Sequence, residues 1–508
     1  MKGTKMLAAI AAAAAFTILG GMSVLAGYSD GIEVRSINLD GYDEETSIRY
    51  GYGYIQTIGL VDGKDSQTYP ELARGLAAWS EDMKNTRTEA FDSMVEGFKE
   101  YYNEAMGSQE VSMEVDMLPR RADDTVFSFL EYYQDYAGGA HGYYMYTGHN
   151  FDPATGEELT LDQIVKDEDA FRSAVKQALA QKYPDSSIGT LGNPIESYGS
   201  GQDQYPFNWV MGADAVSVYF NPYDIGSYAE GVFVVDLRFA DYPDLFTDRC
   251  QTAQGGYGMR FETWTTERID LNQDGDHSEL LVGFESSSPD VSDWYDVLTV
   301  KVDDVTCKAG NQSFYAAEPF LMKTADGKYY LYVVMEEEND YRETAIFGFM
   351  DNSPYLVGVV RGGFGFVFDE KTWQSISIFP SDPEHFMMST RGDLLSTYTI
   401  SRYYRTGEDG MPQPLEEFYT CSSNTPLRTV MPLPVQPLNP DTLKPEGEKT
   451  TVPAGEELKI RRTDGETAVD LEREDGSMVR VNLDGTRWPR TIDGVEEGNY
   501  FEQLYYAG

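Results

Sequence analysis

The densest run of metal-type oxygens in the chain is Asp270-Leu271-Asn272-Gln273-Asp274-Gly275-Asp276-His277-Ser278-Glu279. Side chains at alternate positions, hinged by a glycine, can converge on a hard cation such as Ca2+, which collects roughly six to eight oxygens. Asp270, Asn272, Asp274, Asp276 and Glu279 are the candidate ligands. The bidentate Glu of an EF-hand would fall at Leu281, so Glu279 must stand in for it. Arg268-Ile269 before the loop and Leu280-Leu281-Val282 after it set it between strands, as in the calcium loops of integrin-type propeller repeats, which it resembles with one residue extra before the Glu. An acidic hairpin without metal is the alternative reading.

Other reactive constellations are absent or unspecific. The sequence has no G-x-S-x-G elbow, no phosphate loop of the G-x-x-x-x-G-K-[ST] type and no H-E-x-x-H. Its four histidines, His141, His149, His277 and His385, include no pair three to five residues apart. Cys250, Cys307 and Cys421 lie too far apart for a zinc knuckle and read as isolated, mostly buried thiols. With 85 acids, some pair always lies at a glycosidase separation, so that signal has no specificity.

The elements that must position these residues follow from hydrophobic periodicity. Residues 31–61 alternate apolar and polar, the period of a strand. Two amphipathic helices are expected next, one with Leu72, Leu76, Trp79 and Met83 on its face, the other with Phe91, Met94, Phe98 and Tyr102. Strands at 110–117 and 125–133, a helix over 162–183 and strands at 215–220 and 231–239 complete an α+β half, an antiparallel sheet with packed helices. From about Gly256 short strands with regular turn signals predict an all-β region, a sandwich or a propeller-like array. Residues 431–440 are Pro-rich and predict a stiff linker ahead of a small C-terminal β module. The expected division is a signal peptide over 1–26, α+β domains over 27–120 and 121–245, the all-β region over 246–430, the linker over 431–450 and the module over 451–508.

Composition narrows the function classes. The 508 residues carry 39 Lys+Arg against 85 Asp+Glu, a formal charge of −46. Such a charge repels phosphate backbones, so nucleic acid is excluded as a partner. With 41% hydrophobic and 13% aromatic residues, there is enough to bury several cores. Lys2 and Lys5, the apolar run from Met6 and the small residues Val24-Leu25-Ala26 predict an export signal cut after Ala26. Cleavage leaves 37 bases against 85 acids, or −48, on a secreted, extracellular protein that touches a membrane only if the signal stays uncut.

Three ordered motifs carry a resemblance: Gly138-Gly139-Ala140-His141-Gly142; then Asn150-Phe151-Asp152-Pro153 running on to Leu161; then Tyr219-Phe220-Asn221-Pro222-Tyr223 running on to Tyr228 and Gly231. They resemble the paired extracellular domains of the lysozyme-sensing anti-sigma-V factor and of the accessory region of peptidoglycan deacetylase C, over about residues 34–243. The resemblance implies an α+β fold there and a cell-envelope partner, either a lysozyme-like protein or a wall glycan. It places the binding residues at Gly139, His141, Tyr223 and Tyr228. Read on their own chemistry, the glycines permit positive φ, Tyr219, Tyr223 and Tyr228 supply buried amphipathic rings, and His141, lacking a His or Cys neighbour, reads as a hydrogen-bonded structural histidine. The deacetylase metal site is absent. The expectation is therefore an exported, non-enzymatic binding protein, with a glycan-processing hydrolase acting from the all-β region, or a purely structural surface protein, as the alternatives.

Overall fold

The computed structural model describes residues 28–101, 109–288, 294–338, 341–369, 374–421, 425–486 and 488–506. The expected signal at 1–26 lies outside them, as does Tyr102. No helix among the described residues is long and apolar enough to cross a membrane. The fold is strand-rich, with several sheets and few helices.

The first sheet is built on β1 (Ile32–Asp43), β2 (Ile48–Leu60), β3 (Val111–Ala122), β4 (Phe127–Tyr136) and β5 (Tyr143–Phe151), in that spatial order. Helix α1 spans Pro70–Tyr101 without a break, where two helices were expected. Residues 84–90 contain neither Gly nor Pro, so nothing ends the first amphipathic stripe before the second begins. The helix buries Leu72, Leu76, Met83, Phe91, Val95 and Phe98. It also carries the chain across the sheet, and β3 returns parallel to β2, pairing Gly51 with Val111. The sheet expected to be antiparallel therefore contains one parallel pair, as a helical crossover requires.

Two further strands of this sheet come from far along the chain. Gln374–Phe379 lies against β1, with Ile32 opposite Phe379, and Phe366–Asp369 pairs outside it. Pairing between strands so far apart in the chain has no local signal.

The second unit sets helix α2 (Glu168–Lys182) on a sheet of β6 (Asn208–Met211), β7 (Ala215–Phe220) and β8 (Phe233–Arg238). Asp167 caps the helix, its carboxylate accepting the Ala170 N–H. Phe171, Val175 and Leu179 pack with Val216, Val218, Phe220 and Val235.

In the all-β region, β9 (Tyr257–Arg260) joins β14 (Ala316–Lys323), β15 (Tyr329–Glu336), β16 (Arg342–Met350) and β17 (Ser353–Arg361) in one sheet. The other sheet holds β10 (Thr266–Ile269), β11 (Ser278–Glu285), β12 (Tyr295–Val302) and β13 (Val305–Phe314). Leu280, Val282, Leu298, Val300, Leu331 and Phe347 share one core between them. Beyond it, Leu433–Pro437 is a strand paired with Thr450–Val452 and Met478–Asn482. The Pro-rich stretch is extended as expected, yet it is built into a sheet: Leu433 and Val435 are buried while Pro434 and Gln436 hold the alternate positions.

Candidate functional site

The hairpin between β4 and β5 turns on Gly138 and Gly139, with φ of +85° and +131°. These backbone angles require glycine and set His141 on an exposed loop. The Tyr228 hydroxyl donates to the Gly142 carbonyl at 2.7 Å, and the His141 ring stacks on Tyr228 with centroids 4.1 Å apart. Tyr223 lies 5.5 Å from Tyr228 and is 56% exposed. Tyr144 meets Tyr228 edge-on at 6.1 Å. Three of the four residues picked from sequence thus form one exposed aromatic surface, and Gly139 contributes the turn that presents it.

The Asn-Pro turn explains how that surface is held. The Asn221 side chain accepts the Tyr146 N–H at 2.8 Å and donates to the Tyr146 carbonyl at 3.0 Å, clamping the second unit to β5. Asp224 accepts the Asn221 N–H at 2.8 Å, and burial pushes its carboxyl up. Between these anchors Tyr223 takes a φ of +75°, a left-handed conformation costly for a bulky side chain. The surroundings hold it there, a pattern that clusters at ligand-binding positions.

The acidic loop joins β10 to β11, as its flanks predict. It closes largely on itself. Asp270 Oδ2 accepts the Gly275 N–H at 3.0 Å, Asp274 Oδ1 accepts the Asp276 N–H at 2.8 Å, and the Asn272 amide donates to Asp274 Oδ2 at 2.7 Å. The Asp276 N–H and the Asn272 amide hold the Asp274 carboxyl below its usual range. Gly275 supplies a φ of +96°, and Gln273 docks the loop by donating to the Gly327 carbonyl at 2.8 Å. Glu279 lies on β11, where its N–H bonds the Asp303 carboxylate at 2.8 Å. Among the described residues no three His, Cys, Asp or Glu side chains gather as a metal site. Asp270 Oδ1 is nevertheless buried with no hydrogen-bond partner.

Sequence reasoning missed a cleft of about 470 Å3 between β7 and β8 on one side and β9, β10 and the acidic loop on the other. His277 Nε2 meets Asp214 Oδ2 at 2.7 Å there, with the His277 side chain only 2% exposed. Arg120, buried on β3, donates to Glu267 of β10 at 2.9 Å. Its neighbour Arg121 donates to the Gly212 and Gln251 carbonyls at 3.2 and 2.8 Å. The adjacent arginines within an apolar strand were the one readable sign, and nothing local names their partners.

Arg260 on β9 faces three carboxylates: Glu318 at 3.0 Å, Asp116 at 3.7 Å and Glu262 at 3.8 Å. One guanidinium cannot compensate all three. Burial first, and the neighbouring Asp116 and Glu318 charges after it, push the Glu262 carboxyl up to about 7 against the pull of Arg260. Burial also raises Asp116, whose Oδ2 accepts the Tyr54 hydroxyl at 2.8 Å. Lys323 Nζ rests 5.6 Å from the ring centres of both Tyr257 and Tyr329, and burial pushes its ammonium down.

A family model described as "Protein of unknown function (DUF3298)" matches residues 158–240. No curated protein matches the chain. Several solved structures are similar, two of them as follows. A member of the DUF3298 family from Bacteroides fragilis NCTC 9343 is 19% identical over 44% of this chain and 96% of its own, with a TM-score of 0.31. A DUF3298 family protein from Pseudomonas aeruginosa PAO1 is 14% identical over 44% of this chain and 97% of its own, with a TM-score of 0.30. The segment similar to the DUF3298 model is thus the one that carries α2, β6 to β8, and the turn presenting Tyr223 and Tyr228.

Proposed function

We propose that the chain is an exported, non-enzymatic binding protein of the cell envelope whose aromatic surface takes a wall glycan. The exposed stack of His141, Tyr228 and Tyr223 carries this reading. A pyranose ring offers an apolar C–H face that packs on an aromatic ring, while its hydroxyls stay hydrogen-bonded at the rim. Tyr223, held out in a strained conformation, is placed for such a contact rather than for burial.

A lysozyme-like protein is the second reading, supported by charge: a surface near −48 draws in a basic partner by long-range attraction. A hydrolase acting from the cleft is the third, supported by Glu262, a carboxyl held protonated near neutral pH as a general acid must be. The acidic loop is proposed as a Ca2+ site on the strength of the partnerless Asp270 Oδ1. Retention assays on immobilised peptidoglycan fragments and on immobilised lysozyme separate the first two. Glycan retention lost in Tyr223→Ala is the expected result, and retention on neither support removes the binding reading. Turnover of wall fragments that disappears in Glu262→Gln would put the hydrolase first.

A further inference from the structure

The aromatic surface does not end at Tyr228. Tyr144, edge-on to Tyr228 at 6.1 Å, is followed on the same face of β5 by Tyr146. Same-face neighbours on a strand stand about 6–7 Å apart, so the rings form a row. Tyr146 lies 4.8 Å from Tyr132 on β4 and 5.9 Å from Tyr219 on β7, and Tyr146 and Tyr219 line the cleft. Tyr132, Tyr144 and Tyr146 are half-buried, each leaving part of its surface to solvent, and Val232 and Val234 flank them in the same state. A row that served only as core would be closed over.

The polar groups at the cleft end point to the kind of ligand. Arg120 is paired with Glu267, His277 with Asp214, and Asp236 accepts the Ser217 hydroxyl at 2.7 Å with Arg268 4.0 Å away. Lys182, Lys323, Glu262, Asp270 and Glu279 add further charged groups, so the lining carries both signs interspersed and is rich in hydrogen-bonding groups. Such a lining suits a neutral polyhydroxyl ligand better than an ion, and the −46 of the whole chain disfavours a polyanion further.

We propose that the aromatic surface and the cleft are two subsites of one groove that takes a linear, neutral oligosaccharide several residues long. One sugar stacks on His141, Tyr223 and Tyr228, the chain runs along Tyr144, and a later sugar enters the cleft beside Tyr146 and Tyr219. This rests on the saccharide reading above and adds to it a second subsite and a length requirement. When one ligand occupies two linked subsites, the second contact is intramolecular, so affinity climbs once the ligand spans both.

The test is calorimetric titration of the full chain with N-acetylglucosamine oligomers of two and of six residues. The hexamer is expected to bind roughly tenfold or more tighter than the dimer. Val232→Glu, which puts a carboxylate into the lining of the cleft subsite, should bring the hexamer down toward the dimer's affinity. If Val232→Glu fails to fold, Tyr144→Ala on the groove is expected to narrow the same gap between hexamer and dimer. Equal affinity for both oligomers, lost in Tyr223→Ala, would overturn the groove and leave the aromatic surface as a single-sugar site. Binding of neither oligomer would overturn both readings.

Discussion

Replacing Glu262 by Gln should make the protein more stable at alkaline pH and leave it unchanged in acid. The fold raises this carboxyl from its ordinary 4.5 to about 7. In the folded protein it therefore keeps a proton that the unfolded chain has already released. Below pH 4.5 both states are protonated and the group costs nothing. Between 4.5 and about 7 the unfolded state ionises first, so stability falls as pH rises, and above about 7 the whole penalty is present. A shift of about 2.5 pH units at 1.36 kcal/mol each amounts to about 3 kcal/mol. The glutamine amide keeps the shape of the neutral carboxyl and cannot ionise. Urea unfolding of both proteins, followed by tryptophan fluorescence between pH 4.5 and 8.5, measures the difference directly, because the other titrating groups are common to both. The gap should open with rising pH and level off above about 7. A gap that is constant, or that widens toward acid, would mean Glu262 is ionised throughout and Arg260 outweighs its burial.

Tyr223→Gly should relieve the positive φ at that position, leaving stability unchanged or raised by about 1 kcal/mol, while retention on wall fragments is lost; stability and retention falling together would refute the idea that strain is held there for binding. Calorimetric titration with Ca2+ should give heat that disappears in Asp270→Ala and in Asp274→Ala, and no heat from the unaltered protein ends the metal reading of the loop. Arg120→Met should destabilise by about 3–5 kcal/mol because it leaves Glu267 facing the cleft without its partner, whereas Arg120→Met combined with Glu267→Leu should recover most of the loss. Additive costs in that double-mutant cycle would show that the two side chains are not coupled.

The sequence by itself determined what local periodicity can encode. The apolar stripe of α1 is legible from Leu72 to Phe98 because side chains three and four residues apart share a helix face. The glycine at 275 and the alternation on either side of it mark a turn between strands, since few residues tolerate that backbone and period two is a strand's own. The composition set the charge, and with it the exclusion of nucleic acid. His141, Tyr223 and Tyr228 were named as candidates one by one, but no pattern in the residues themselves says that they meet.

Only the tertiary structure decided which elements meet. Gln374–Phe379 alternates as well as any strand, yet that pattern names the face it buries and not the neighbour it pairs with, which proves to be β1 at the opposite end of the chain. Asp214 and His277, Arg120 and Glu267, or Glu262 and Asp116 carry no mark of one another. Their pairing follows from the docking of separate sheets. The same docking removes the water that would otherwise keep Glu262 an ordinary carboxylate, so its altered acidity, like the cleft it lines, belongs to the assembled fold.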